Sequence, residues 1–252
     1  MPSEIPLTRI VKHLDNLLEI SKYDEGVPSN GLMVDAGRPV SRLAAAVNTS
    51  FESIDGAAAA GAQLLLVHHT TWESIDRDLK EKKEEALRAR GVSLYGAHAA
   101  LDCSAEFSNA VTLAAALGVE VEGRFVEYGG GLAGAYGSVS GTFEGFVDRV
   151  REVLGVRIDA WKNSDRFGRI GIVPGGGPWT SYVAEAQGLG CDTYLTGEGT
   201  MYTKLFARET GMNLILATHY STETYGVQAL TASVAKEFDL PWEFVREDAA
   251  VG

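Results

Sequence analysis

Cysteine is scarce in this chain. Cys103 and Cys191 stand far apart and no CxxC pair exists, which excludes a zinc ribbon and a thioredoxin-type centre and leaves no disulfide framework. Basic residues are outnumbered, 22 Lys and Arg against 34 Asp and Glu, for a formal net charge of -12. Phosphate-backbone binding draws on clustered Lys and Arg, so no general nucleic-acid surface is expected, although a local basic pocket stays open. No apolar run approaches the length that crosses a bilayer, so no membrane contact is expected. The opening Met1-Pro2-Ser3-Glu4-Ile5 has no basic stretch followed by an apolar one. That reads as a chain without a signal peptide, in the cytoplasm.

What is present describes an ordinary globular protein: 252 residues, 45% hydrophobic and 22% charged. A chain of this length buries roughly 70–75% of its extended surface and needs no cross-links to hold a core. Leu7, Ile10, Val11, Leu14, Leu17 and Leu18 fall at helical spacing, which predicts a first helix over Leu7–Ile20. Strands are expected at Gly31–Val34, Val40–Val47, Gln63–Val67 and Val92–Ala97, with helices at Phe51–Ala60, Asp76–Arg90 and Glu106–Leu117. The glycine-rich stretch Gly129–Gly137 marks a boundary between an N-terminal half, 1–127, and a C-terminal half, 128–252, whose end is free to pack back on the first. Beyond it, helices are expected at Phe143–Leu154, Trp179–Gly188, Thr200–Glu209 and Thr222–Glu237. The strands between them are Val156–Trp161, Arg169–Val173, Thr193–Leu195 and Leu214–Ala217. Such alternation predicts an α/β fold of two halves, with helices flanking mixed sheets and ligands at strand ends. "GAQLLLVHHTTWE" and "GMNLILATHYSTE" share a pattern of glycine, apolar strand, histidine and polar turn, which is either a duplicated unit or chance.

Four of the five histidines fall at the ends of expected strands: His68 and His69 after Val67, His98 after Ala97, and His219 just past Ala217. One such histidine is usually a hydrogen-bonded structural residue, but four at one kind of position point to metal ligation. His98 and Asp102 are four apart, as are His219 and Glu223, a spacing that shares one face where the chain enters a helix. Successive strand residues point to opposite sides, so His68 and His69 share a cavity only if the chain kinks there. Imidazole mixed with carboxylate suits zinc, iron or manganese and is too nitrogen-rich for calcium. Two divalent ions held by four neutral imidazoles and two carboxylates keep excess positive charge, which lowers the pKa of a water they share. His13, on the first helix, has no assigned role. The turn "GIVPGGG", Gly171–Gly177, reads as a structural turn or as a phosphate-binding one. Glu198 reads as a base beside the metals or as a helix N-terminal acid. Trp72 and Tyr220 read as packing residues or as platforms for a planar ring.

The segments "LLLVHHTTWE", "AHAALD" and "ATHYSTE", with "NAVTLAAALGV" and "DTYLTGEG" in their order and spacing, resemble the NIF-three-like family, also labelled GTP cyclohydrolase I type 2. The resemblance spans nearly the whole chain. It implies two related α/β halves with a dinuclear metal site between them, assembled as a ring-shaped homo-hexamer. Carried onto matching positions, the ligands are His68, His69, His98, Asp102, His219 and Glu223. Glu223 is the residue to bridge both ions, and direct ligation by His98 is left open. This chain departs from the family in carrying Thr70 where proline is common, and Ala99 and Ala100 where a polar pair precedes the aspartate. The function implied is a metal-dependent hydrolase acting on a small nucleotide-like substrate; the alternative is a metal-binding assembly or regulatory partner protein without turnover.

Overall fold

A computed structural model describes residues 4–250 of the chain. Residues 1–3, part of the segment read as lacking a leader, lie outside the described residues. In chain order the first elements are α1 (Leu7–Leu17), β1 (Asn30–Val34), β2 (Leu43–Asn48), α2 (Phe51–Ala59), β3 (Leu64–His69), α3 (Glu73–Asp76), α4 (Leu79–Arg90), β4 (Ser93–Ala97) and α5 (Ala99–Asp102). There follow α6 (Asn109–Ala116), β5 (Glu120–Tyr128), β6 (Gly131–Ser138), α7 (Phe143–Leu154), β7 (Asp159–Trp161), β8 (Arg169–Val173) and α8 (Thr180–Gly188). The chain closes with β9 (Thr193–Thr196), α9 (Met201–Thr210), β10 (Asn213–Leu216), α10 (His219–Thr222), α11 (Thr224–Phe238) and β11 (Trp242–Phe244). Two compact units result. Among the described residues one comprises residues 4–107, Gly129–Gly131 and Val227–Asp248; the other comprises Ser108–Tyr128, Leu132–Gly226 and residues 249–250.

The first unit is built on a five-stranded sheet of order β1-β4-β3-β2-β11. Strands β4, β3, β2 and β11 run parallel, and β1 is antiparallel at the edge. Its inner strands are apolar on both faces because both are covered, as parallel sheets require. Leu43, Ala45, Leu64, Leu66 and Tyr95 pack with Ile10 and Leu14 of α1 and with Val227, Leu230 and Val234 of α11. The alternate residues Ala44, Ala46, Leu65, Val67 and Leu94 pack with Ile54 of α2 and Leu87 of α4. Helix α2 starts at a reciprocal cap: Ser53 N donates to Ser50 Oγ at 3.0 Å, and Ser50 N donates to Ser53 Oγ at 2.9 Å.

The second unit carries a six-stranded sheet of order β5-β6-β8-β9-β10-β7, in which β8, β9 and β10 are parallel and β7 is antiparallel. Ile170, Ile172, Leu195 and Ile215 face Phe146 and Val150 of α7, while Tyr194 and Leu214 face Val183 and Ala207 of α8 and α9. Within each sheet the histidines lie at the C-terminal ends of parallel strands: His68 and His69 end β3, His98 follows β4, and His219 follows β10. Among the described residues no helix is long and apolar enough to cross a membrane.

Several local expectations change. The helix read over Asp76–Arg90 is two pieces, α3 and α4, because Arg77 adopts a φ of 52°. The glycine-rich stretch is largely the strand β6. Its glycines sit where backbones and rings approach closely: a side chain at Gly137 would overlap Glu120 O, and one at Gly134 would come within 2.7 Å of the Phe125 ring. The reading of Thr222–Glu237 as one helix gives way to α10 and α11, and the edge strand β11 carried no period in the sequence. Strand β3 does not stop before the histidines but runs through both of them.

Candidate metal centre

In the first unit, Asn48 of β2 pairs with His69 across the parallel ladder, and Val67 pairs with Gly96 on the other side. A side chain at Gly96 would overlap Thr70 Cγ2 and lie 2.9 Å from Ser29 O, so glycine there lets the chain leaving β3 fold across β4. His98 stands at the entry to α5, where the first helical N–H groups need acceptors. Asn30 Oδ1 accepts from His98 N at 2.8 Å and Ala100 N at 3.1 Å, and Glu25 Oε2 accepts from Ala99 N at 3.2 Å.

This frame brings His68, His69 and His98 together: one ring nitrogen of each lies within 4.8 Å of the others. The His68 and His98 rings stack with centroids 4.8 Å apart, and the His68 and His69 rings are 4.5 Å apart. Asp102, one turn after His98, sets Oδ2 3.6 Å from His68 Nε2. Trp72 packs edge-on against His98 at 5.1 Å, and its Nε1 donates to Ser29 Oγ. It is therefore a wall of the histidine cluster held by its own hydrogen bond.

In the second unit, His219 opens α10 directly after Thr218, whose φ of 59° and ψ of 143° are rare for a β-branched residue. Such a conformation costs about 1–3 kcal/mol and persists only where the surroundings over-determine it. Here Ser221 N donates to Thr218 Oγ1, and Gly197 leaves room where a side chain would come within 2.8 Å of Thr218 O and 2.7 Å of His219 Cα. His219 Nε2 lies 3.3 Å from Glu223 Oε2, as the four-residue spacing predicts. Gly175, with φ +63°, lies against this pair: a side chain there would overlap Glu223 Oε1 and reach His219 Nε2 at 3.0 Å. Burial lowers the pKa of His219, but the contacts with Glu223 and Glu198 outweigh it and raise the value to about 9.

One regularity joins the four strand-end histidines. Nδ1 of each is held by an oxygen: His68 by Ala97 O at 2.9 Å, His69 by Asn48 Oδ1 at 2.7 Å, His98 by Glu25 Oε1 at 2.5 Å, and His219 by Glu198 Oε1 at 3.0 Å. Oxygen acceptors at Nδ1 require the hydrogen there, which puts the lone pair of each neutral ring on Nε2. Metal-binding imidazoles are anchored in this way, and the missing side chain at Gly175 leaves room for the Glu223 carboxylate beside His219. The donor set therefore fits divalent metal ions.

The structure also decides between readings left open in the sequence. Glu198, two residues before the Thr200 cap of α9, accepts from His219 Nδ1. In the "GIVPGGG" turn Gly175 N donates to Thr222 Oγ1 and Gly177 N to Thr196 Oγ1, which favours the structural reading. Glu25 and Asn48 escaped sequence reasoning, because neither stands at a fixed spacing from the histidine it serves.

The family model described as Duf34/NIF3 (NGG1p interacting factor 3) matches residues 5–249. The chain belongs to the Duf34/NIF3 family. A relative from Deinococcus radiodurans named GTP cyclohydrolase 1 type 2 homolog is 34% identical, covering 96% of this chain and 93% of that protein. One of the same name from Archaeoglobus fulgidus is 31% identical over 95% of this chain and 97% of its own length. Among solved structures, TTHA1606 from Thermus thermophilus superposes with a TM-score of 0.81 at 27% identity, covering 96% of this chain and 98% of that one. A protein called ybgI, described as of unknown function, gives a TM-score of 0.86 at 26% identity with the same coverage. The α/β architecture read from strand and helix alternation is thus the family's fold.

Proposed function

We propose that His68, His69, His98, Asp102, His219 and Glu223 hold two divalent ions. The observation that carries this reading is the anchoring of every strand-end histidine through Nδ1, which dedicates Nε2 to ligation. Zinc, iron and manganese match the donors. We propose further that the centre hydrolyses a small nucleotide-like substrate, in keeping with the cyclohydrolase name of the relatives, and that the subunits form a closed cytoplasmic homo-hexamer. When bound, two such ions supply Lewis acidity and an activated water. The protein's own residues fix the ligands: Glu25, Asn48 and Glu198 aim the rings, and Trp72 walls the cluster.

Elemental analysis of protein purified without chelators is expected to give about two ions per chain. Glu223→Gln is expected to lose more metal than His98→Ala, because a bridging carboxylate serves both ions. Asp102→Asn and His219→Ala are each expected to abolish hydrolysis in a screen of nucleotides, cyclic amides and phosphoesters while leaving the fold intact. Failure to take up metal after reconstitution overturns the reading. A monomer by light scattering at micromolar concentration overturns the hexamer, and metal-loaded protein inert toward the whole screen favours a non-catalytic assembly protein.

A further inference from the structure

Asn48 ends β2 and presents its side-chain amide to two different groups. Oδ1 faces His69 Nδ1 at 2.7 Å, while Nδ2 faces Glu247 Oε2 at 3.2 Å. The same carboxylate oxygen takes the main-chain N–H of Asn48 at 2.9 Å. A main-chain N–H can only donate, so Oε2 is an acceptor whatever the protonation of the carboxyl group. Turning the amide over would set Asn48 Oδ1 against that acceptor, oxygen facing oxygen, and lose the bond to Glu247. One order of atoms is therefore left: Nδ2 donates to Glu247, Oδ1 accepts from His69 Nδ1, and the His69 lone pair lies on Nε2. Glu247 cannot swing away, being 2% exposed, with Oε1 accepting from Ser50 Oγ at 2.7 Å.

We infer that Glu247, close to the end of the chain, is a positioning residue that acts through Asn48 to set the tautomer and ring orientation of His69. Its purpose rests on the metal-binding reading above, but its test does not. Glu247→Gln preserves shape while offering Asn48 a donor as readily as an acceptor. In metal-free protein, imidazole nitrogen NMR is expected to show His69 wholly as the Nδ1–H tautomer in the parent and as a mixture in Glu247→Gln. Zinc affinity, measured by competition with a chelator, is expected to fall about 10–100-fold, as outer-shell changes do. Asn48→Ala is expected to cost a similar factor, and adding Glu247→Gln to it nothing more, since the path runs through Asn48.

An unchanged His69 tautomer in Glu247→Gln overturns the inference, and so does an affinity loss that adds in full to that of Asn48→Ala. Should Glu247→Gln fail to fold, Asn48→Ala is read the same way: a mixed tautomer supports the relay and an unchanged one overturns it. A parent protein that binds no zinc would defeat the metal reading alone, and the tautomer would still decide the role of Glu247.

Discussion

Replacing Gly175 with alanine perturbs the candidate centre with a single methyl group. Two effects separate cleanly. The left-handed φ of +63° at Gly175 costs an L-residue roughly 1–2 kcal/mol. The added Cβ would also overlap Glu223 Oε1 and stand 2.8 Å from Cδ and 3.0 Å from His219 Nε2, so the carboxylate must move off its histidine partner. Gly155 provides the control, because its φ is +65° and nothing lies within 4 Å of a Cβ built there. Both Gly175→Ala and Gly155→Ala are expected to lower Tm by roughly 2–8 °C, at about 2–4 °C per kcal/mol for a domain of this size. Only Gly175→Ala is expected to lose metal affinity, by at least about tenfold, which is 1.4 kcal/mol or more of displaced ligation. Differential scanning calorimetry and zinc competition titrations on the two variants measure these quantities. Parent-like zinc affinity in Gly175→Ala would refute the assignment of Glu223 as a ligand, since the clash leaves its carboxylate no way to keep its place.

In metal-free protein, His219 is held protonated well above its ordinary pKa of 6.5, to about 9, so its contribution to folding is fully present below about 6.5 and is lost as pH rises through about 9. Denaturant titrations are expected to show that window in the parent and not in a His219→Gln variant; a window in both would assign it elsewhere. Divalent ions must displace the same proton, so zinc affinity at this histidine is expected to rise with pH up to about 9, with one proton released per site by calorimetry in paired buffers. In the core of the first unit, Leu66→Ala is expected to cost about 2–5 kcal/mol by urea unfolding, because Leu66 is 1% exposed and packed among the sheet, α1 and α11.

How much of this was legible in the sequence depended on the range of the interaction. Helix and strand follow from periodicity, and α7 and β8 lie where the apolar pattern puts them because each buries its own repeating face. The pairs His98–Asp102 and His219–Glu223 were legible too, since a four-residue step across a helix entry is local geometry. The double histidine was only half legible. That β3 runs through both residues depends on its neighbours β2 and β4 and is encoded in neither histidine. Beyond that, sequence spacing is silent. Glu25 reaches His98 across 73 positions, and Glu247 reaches Asn48 across 199. Their carboxylates are chemically like the chain's other acidic groups until the sheet brings β1, β4, β2 and the segment after β11 side by side. The sequence by itself determined the kinds of candidate ligand and their place at strand ends, because those follow from residue chemistry and local period. Only the tertiary structure decided which oxygen holds each Nδ1, and with it which nitrogen of each ring is left for a metal, because hydrogen-bond direction is settled by partners distant in the chain.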